Sequence, residues 1–274
     1  KPDLKYTVRW LHSHRPRSRK GNNMLSSLIT AIRTLTVLPV PGKESPNRAS
    51  SLPWFPIVGL VLGLAVYGIT SAGYGYCKWP EGMSVMAVVS GIILTRCLHM
   101  DGLADWADGF WGGMDKQATL RIMKDSFIGS FGVCALICAV LTKWVCFTRL
   151  LNTNSAWWIV PAYVVSRTSQ SVMSGIFSYA RDEGGTARTY VQGAGAAHAF
   201  VSILLAAVCI WIMPDIPESW KFRVFFILPA GLGPAFLIGL WSNRRLGGIT
   251  GDVIGAASEI TEITVLILGA VVSS

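Results

Sequence analysis

The sequence predicts an all-α, polytopic integral membrane bundle of about seven transmembrane helices, preceded by an amphipathic helix at the interface. Three observations carry that prediction. Apolar residues make up 51% of the 274 and charged residues only 14%, with a mean hydropathy of +0.47, outside the range of soluble domains. Apolar runs of about 20 residues, the length that crosses the hydrocarbon of a bilayer, recur from residue 55 to residue 272. These runs lack the alternation of barrel strands, and backbone amides in lipid must be satisfied within the segment, so they are read as helices.

The chain divides into a basic flexible tail, residues 1–23, and a membrane-embedded catalytic domain, residues 24–274. The tail holds seven Lys or Arg against Asp3 alone, six of the formal net charge of +9. It interleaves no aromatics with base-reading side chains, so its charge points to a membrane surface or to topology and not to nucleic acid. It is not read as a signal peptide, because the basic region is long and the next apolar run is short and broken by Pro39 and Pro41. Met24 offers an internal start.

From Leu25 to Leu38 the residues Leu25, Leu28, Ile29, Ile32, Leu35 and Leu38 recur at helical spacing with Arg33 among them. That run is too short to span and reads as the interfacial helix. Pro39 to Ser51 is a loop. The expected spans are 55–76, 82–100, 128–149, 156–178, 194–213, 224–242 and 251–272. Six cysteines lie mostly in apolar runs and include no CxxC pair, so they imply neither a disulfide framework nor a zinc site.

Alternation of these spans puts the loops at 101–127, 179–193 and 243–250 on the side of the tail. They carry Lys116, Arg121, Lys124, Arg181, Arg188, Arg244 and Arg245, whereas the opposite side has Lys78, Lys221 and Arg223, with Lys143 and Arg149 near that end. The positive-inside rule then makes the tail side cytoplasmic. Asp101, Asp105, Asp108, Asp125, Asp182, Glu183 and Asp252 reach the same side. Acids and bases gathered at one face suit an enzyme acting on a phosphorylated cytosolic substrate.

The stretch DGLADWADGFWGG, Asp101 to Gly113, is the expected metal site. Asp101, Asp105 and Asp108 fall at i, i+4 and i+7 on one helical face, where like charges repel unless a cation sits among them. The bland reading is a helix cap and a solvated face. The interleaved glycines admit close approach of a bulky polyanion, and Asp125 would complete a magnesium site shared with substrate phosphate and water. Arg121 and Lys124, three apart, either neutralise phosphate charge or decorate the cytoplasmic face. Arg167 lies inside a span, where it pairs with an acid or touches substrate. Arg181 and Arg188 flank Gly184-Gly185 as a phosphate clamp or a hinge. Gly251 and Gly255 form a GxxxG packing face, and Asp252, Glu259 and Glu262 beside it are further metal ligands or partners for Arg167. His99 is read as a core or interface histidine.

These segments resemble the cobalamin synthase (adenosylcobinamide-GDP ribazoletransferase) family. The resemblance rests on LPVP at 38–41, SLPWFPIVG at 51–59, DGLADWADGFWGG at 101–113, RIMKDSFIGSFG at 121–132, YAR at 179–181 and GDVIGAASEITE at 251–262. Trp106 is bulkier than the family pattern suggests, and Gly184-Gly185-Thr186 stands where Gly-Leu-Gly is usual. The resemblance implies a multi-pass protein of the bacterial inner membrane, using Mg2+ at the cytoplasmic face. It would join adenosylcobinamide-GDP to α-ribazole, or its 5′-phosphate, with loss of GMP. Other enzymes of the corrinoid pathway and a second copy of the chain are the partners such a protein would have.

The implied catalytic set is Asp101, Asp105, Asp108 and Asp125, the first three as metal ligands, with Arg121, Lys124, Arg167, Arg181, Asp252 and Glu259 on substrate. The acceptor's proton would pass to Asp125 or Asp108. Two other readings compete. A CDP-alcohol phosphatidyltransferase also uses clustered aspartates, but its DGxxAR pattern is broken at Asp105. A cation or metabolite transporter would spread its acids across depth in repeated halves, and the chain has no internal repeat.

Overall fold

The structure, a computed structural model, describes residues 23–181, 184–213 and 224–273. Residues 1–22 of the basic tail, Asp182, Glu183, Lys221 and Arg223 lie outside the described residues. Among the described residues the protein is a helical membrane bundle with no strand; a single parallel bridge joins Tyr179 to Ile249.

Helix α1 (Met24–Leu35) lays its buried face, including Ile29, Ala31 and Leu35, on a 3-10 helix at Arg48–Trp54 and on α2 (Phe55–Cys77). α3 (Pro80–Leu94) starts with a proline at its first position, where the missing N–H costs nothing. α4 (Leu98–Gly112) carries the aspartates and α5 (Lys116–Ile122) follows, capped by Asp115 accepting from the Ala118 amide at 2.8 Å. The remaining elements are α6 (Ser130–Asn152), α7 (Ile159–Ile176), α8 (Arg188–Val191), α9 (Ala196–Trp211), α10 (Val224–Leu246) and α11 (Gly251–Val272).

α7 is the central pillar, packed by α2, α9, α10 and α11. It is buried without interruption from Ile159 to Ser171. That burial explains its composition: a helix surrounded by protein can place Ser166, Thr168, Ser169, Gln170 and Ser171 where a lipid-facing helix could not.

The expected number of spans is met only in part by length and hydropathy. Among the described residues four helical runs are long and apolar enough to cross a membrane: Arg48–Cys77, α6, Phe226–Leu246 and α11; α3 with α4 makes a fifth if a bend of 89° is allowed. α7 falls short because its polar residues face protein. α9 falls short because it has only 16 residues.

The expected span 82–100 is corrected. α3 ends at Leu94 in a Schellman turn, the Cys97 amide donating to the Ile92 carbonyl at 2.9 Å and the Arg96 amide to the Ile93 carbonyl at 3.1 Å. Arg96 and Cys97 take left-handed backbone, φ 53° and 59°. Beyond them α4 sets off at 89° to α3 and does not form one straight span with it. Around its far end Trp106, Phe110, Trp111 and Trp241 pack edge-on, and the Arg245 guanidinium lies over the Phe110 ring, its Nη1 donating to the Phe110 carbonyl at 2.8 Å.

Candidate active site

Two glycines fix the position of the acidic helix. A Cβ at Gly102 would lie 3.0 Å from the Asp252 carbonyl oxygen and 3.2 Å from the Gly255 Cα, so α4 and α11 touch backbone to backbone there. This brings Asp101 and Asp105, a turn apart on α4, beside Asp252 in the first turn of α11. Thr250 starts α11, its hydroxyl accepting from the Val253 amide at 3.3 Å.

The segment after α7 is tied to the same place. The Ala180 amide donates to the Ile249 carbonyl at 2.9 Å and the Ile249 amide to the Ser178 carbonyl at 2.8 Å. That short ladder aims Arg181 at α11, where its Nη2 meets Asp252 Oδ2 at 2.8 Å. Four residues expected in the site are therefore together: Asp101, Asp105, Arg181 and Asp252.

Beside them opens a cavity of about 430 Å3, lined by Asp101, Asp252, His99 and Gln170 and by Arg33, Arg48 and Arg96. His99 is buried, and its Nε2 stands 2.8 Å from Gln170 Nε2, which also donates to Ser258 Oγ at 2.9 Å. A larger depression of about 580 Å3 between α6 and α11 is lined mainly by apolar side chains such as Leu141, Val145 and Ile267, and carries no acid.

Electrostatics mark the acidic group as frustrated. Burial, then the neighbouring charges of Asp252, Asp101 and Asp108, push the Asp105 carboxyl up to about 7, with Arg181 opposing them. A cation would relieve that repulsion. Among the described residues no three carboxylate, imidazole or thiolate groups stand grouped as ligands around one point. The donors nonetheless fit magnesium, a hard ion that takes one or two carboxylates and completes its shell with water and substrate phosphate. Asp101, Asp105 and Asp252 are the residues that would hold it.

Other expected site residues stand elsewhere. Asp108, expected among the metal ligands, is 7% exposed, and both its oxygens are engaged: Oδ2 accepts from the Gly129 amide at 2.7 Å and Oδ1 from the Gly132 amide at 2.8 Å. It anchors the N-terminus of α6, where free amides and the helix dipole favour a carboxylate. Asp125 is exposed, accepts from the Phe127 amide at 3.1 Å, and does not line the cavity. Arg121 and Lys124 are likewise exposed and off the cavity.

Arg167 and Glu259 belong to a buried charge network next to the cavity. Lys143 Nζ lies 2.5 Å from Glu259 and 2.8 Å from Glu262, and Arg167 Nη1 lies 3.6 Å from Glu262. Arg167, 1% exposed, also donates to Ser166 Oγ at 2.6 Å and Ser258 Oγ at 3.0 Å. Of the two roles expected for these groups, pairing is the one the geometry displays. Lys143 corrects a second expectation, for it sits inside the bundle between two carboxylates and not near the outer rim.

Sequence reasoning missed Arg48, Arg96, Gln170 and Tyr190 as cavity residues and Lys143 as a network member. Lys143 had a signal, a cation within an apolar run. Arg96 carried the same signal within the expected span 82–100, but its place at the cavity depends on the Schellman turn, which the spacing did not reveal.

The chain matches the family model described as cobalamin-5-phosphate synthase over residues 27–270. A protein of Chlorobaculum parvum named adenosylcobinamide-GDP ribazoletransferase is 48% identical over 248 residues, 90% of this chain and 96% of that one. One of the same name from Chlorobaculum tepidum is 47% identical, covering 90% of this chain and 96% of its own length. Another from Syntrophobacter fumaroxidans is 34% identical, covering 89% and 97%. No solved structure matches. Matched along most of its length, motifs included, the chain is an enzyme belonging to the cobalamin-5-phosphate synthase family.

Proposed function

We propose that this enzyme is a magnesium-dependent transferase that joins adenosylcobinamide-GDP to α-ribazole, or its 5′-phosphate. The products are adenosylcobalamin, or its 5′-phosphate, and GMP. The single observation that carries the reading is the meeting of Asp101, Asp105 and Asp252 from two helices beside a cavity with three arginines. The names of the relatives supply the substrates.

In this reading the acceptor's ribose hydroxyl attacks the pyrophosphate phosphorus nearer the corrinoid, the bond to the bridging oxygen breaks, GMP leaves with that oxygen, and the hydroxyl's proton passes to water. Such chemistry needs alignment and charge stabilisation more than covalent help. Magnesium, when bound, would supply neutralisation of phosphate oxygens at the acidic wall. Arg181 holds Asp252 in place through their ion pair at 2.8 Å. Gln170 and His99 form a rigid polar floor through their contact at 2.8 Å. The protein lies in the bacterial inner membrane with the cavity open to the cytoplasm; Lys and Arg flanking the cavity end support that orientation.

Purified protein in lipid nanodiscs, given adenosylcobinamide-GDP, α-ribazole and magnesium, is expected to yield a cobalamin and GMP in equal amounts. Absence of both products with folded protein, across several lipid compositions, would overturn the assignment.

A further inference from the structure

The cavity has a second chemical side, built by elements that carry none of the acids. Arg33 comes from α1, Arg48 from the 3-10 helix and Arg96 from the bend before α4. Glu44 ties two of them, 3.5 Å from Arg33 Nη1 and 3.3 Å from Arg48 Nη2. Arg48 is held further by Tyr190, whose hydroxyl stands 3.4 Å from Arg48 Nη1 and 2.6 Å from the Thr34 hydroxyl. Arg96 Nη2 donates to the Arg33 carbonyl at 2.9 Å. This side of the cavity thus carries three guanidiniums and one carboxylate, a surplus of two positive charges.

Arg96 adds an independent observation. It occupies the position of its Schellman turn that glycine usually fills, with φ 53°. A side chain there strains the backbone, so glycine would be the stable choice if the turn alone mattered. The strained residue is one that lines the cavity. Guanidiniums positioned around a cavity and tied into place are the usual means of gripping phosphate, since each offers paired donors and keeps its charge.

We propose that Arg33 and Arg48, set in register by Glu44, and Arg96, held on the Arg33 carbonyl, form an anion-binding wall that grips a phosphoryl group of a substrate while the acids hold the metal side. The source of that phosphoryl group is the donor's pyrophosphate or the acceptor's 5′-phosphate. The proposal rests on the transferase reading for its substrates but not for its binding chemistry, so the two can fail separately.

The test begins without turnover. Inorganic pyrophosphate and GMP are titrated calorimetrically into the full chain in nanodiscs, parent against Arg48→Met, Arg48→Lys, Arg96→Asn and Arg121→Met. Asparagine tolerates the left-handed backbone at residue 96, so that variant removes charge while sparing the turn. Binding is expected to weaken about tenfold or more in Arg48→Met and Arg96→Asn, to recover partly in Arg48→Lys, and to stay unchanged in Arg121→Met. Turnover then locates the phosphate. A raised KM for adenosylcobinamide-GDP with either acceptor assigns the wall to the donor, and a raised KM confined to α-ribazole 5′-phosphate assigns it to the acceptor. Equal binding by parent, Arg48→Met and Arg96→Asn, each folded by circular dichroism, overturns the wall even if turnover is normal. Arginine-dependent pyrophosphate binding without any turnover sustains the wall and sinks the transferase reading instead.

Discussion

Lys143→Met tests whether the buried charges act as one unit. The network holds two cations, Lys143 and Arg167, and two anions, Glu259 and Glu262, all nearly inaccessible to solvent. Lys143 is the closest partner of both carboxylates, at 2.5 and 2.8 Å, whereas Arg167 reaches only Glu262, at 3.6 Å. Removing Lys143 leaves Glu259 with no cation within ion-pair distance and a net negative charge in the bundle. Breaking a buried pair in this way costs about 3–5 kcal/mol. Neutralising the stranded acid as well restores the balance, so Lys143→Met with Glu259→Gln should regain about 1–3 kcal/mol of the loss. The assay is unfolding of the purified protein in mixed micelles by a denaturing detergent, read by tryptophan fluorescence, for parent, both single variants and the double. If the two losses add, or if Lys143→Met alone stays within about 0.5 kcal/mol of the parent, the reasoning is refuted.

Three further expectations follow from the site. Gly102→Ala places a methyl 3.0 Å from the Asp252 carbonyl oxygen, so it should cost about 1–3 kcal/mol and cut turnover by spreading α4 from α11. Gly112→Ala, whose methyl would meet only Ile122 Cδ1 at 3.6 Å, is the control that should leave both nearly intact. Asp108→Ala strips the acceptor from the Gly129 and Gly132 amides and should destabilise by about 1–3 kcal/mol, while Asp108→Asn keeps one acceptor and loses less. Retained turnover in Asp108→Asn would agree with an anchoring role; complete loss in a stably folded Asp108→Asn would return Asp108 to the chemistry. For Asp105 the folded value of about 7 lies above the ordinary 3.8. The folded state therefore binds the extra proton, and stability should fall as pH rises from about 4 through 7 and then level off. With a chelator present, the thermal midpoint should show that fall in the parent and a much flatter profile in Asp105→Asn; identical profiles would contradict the electrostatic account.

Much of this was legible in the sequence because lipid imposes strict rules. The Phe55–Cys77 and Gly251–Val272 helices fall almost where apolar length put them, since a segment that crosses the hydrocarbon needs about 20 mostly apolar residues whatever it packs against. The shared face of Asp101 and Asp105 and the packing face of Gly251 and Gly255 were readable from spacing, as i, i+4 periodicity and GxxxG are local patterns; that Gly102 is what meets that face was not. The break after Leu94 was not, because Cys97, Leu98 and Met100 resume the apolar pattern after Thr95 and Arg96 and no glycine or proline marks the turn. Nor was the engagement of both Asp108 oxygens by the Gly129 and Gly132 amides, which arrive from more than twenty residues away. Periodicity says that three acids share a face; only packing says which neighbour each one meets. The arginine wall was hidden for the same reason, since Arg33, Arg48 and Arg96 come from three elements with no common motif.

The central claim is that carboxylates from α4 and α11 act together on a corrinoid-linked pyrophosphate. Its most direct measurement is magnesium-dependent GMP release from adenosylcobinamide-GDP and α-ribazole by Asp101→Asn and Asp252→Asn, each reconstituted in nanodiscs and shown to be folded. Both variants should lose turnover by about a hundredfold or more, the scale expected when charge-stabilising groups are removed, and raising magnesium should restore part of it. Turnover at the parent rate in either variant, with unchanged magnesium dependence, would contradict the claim.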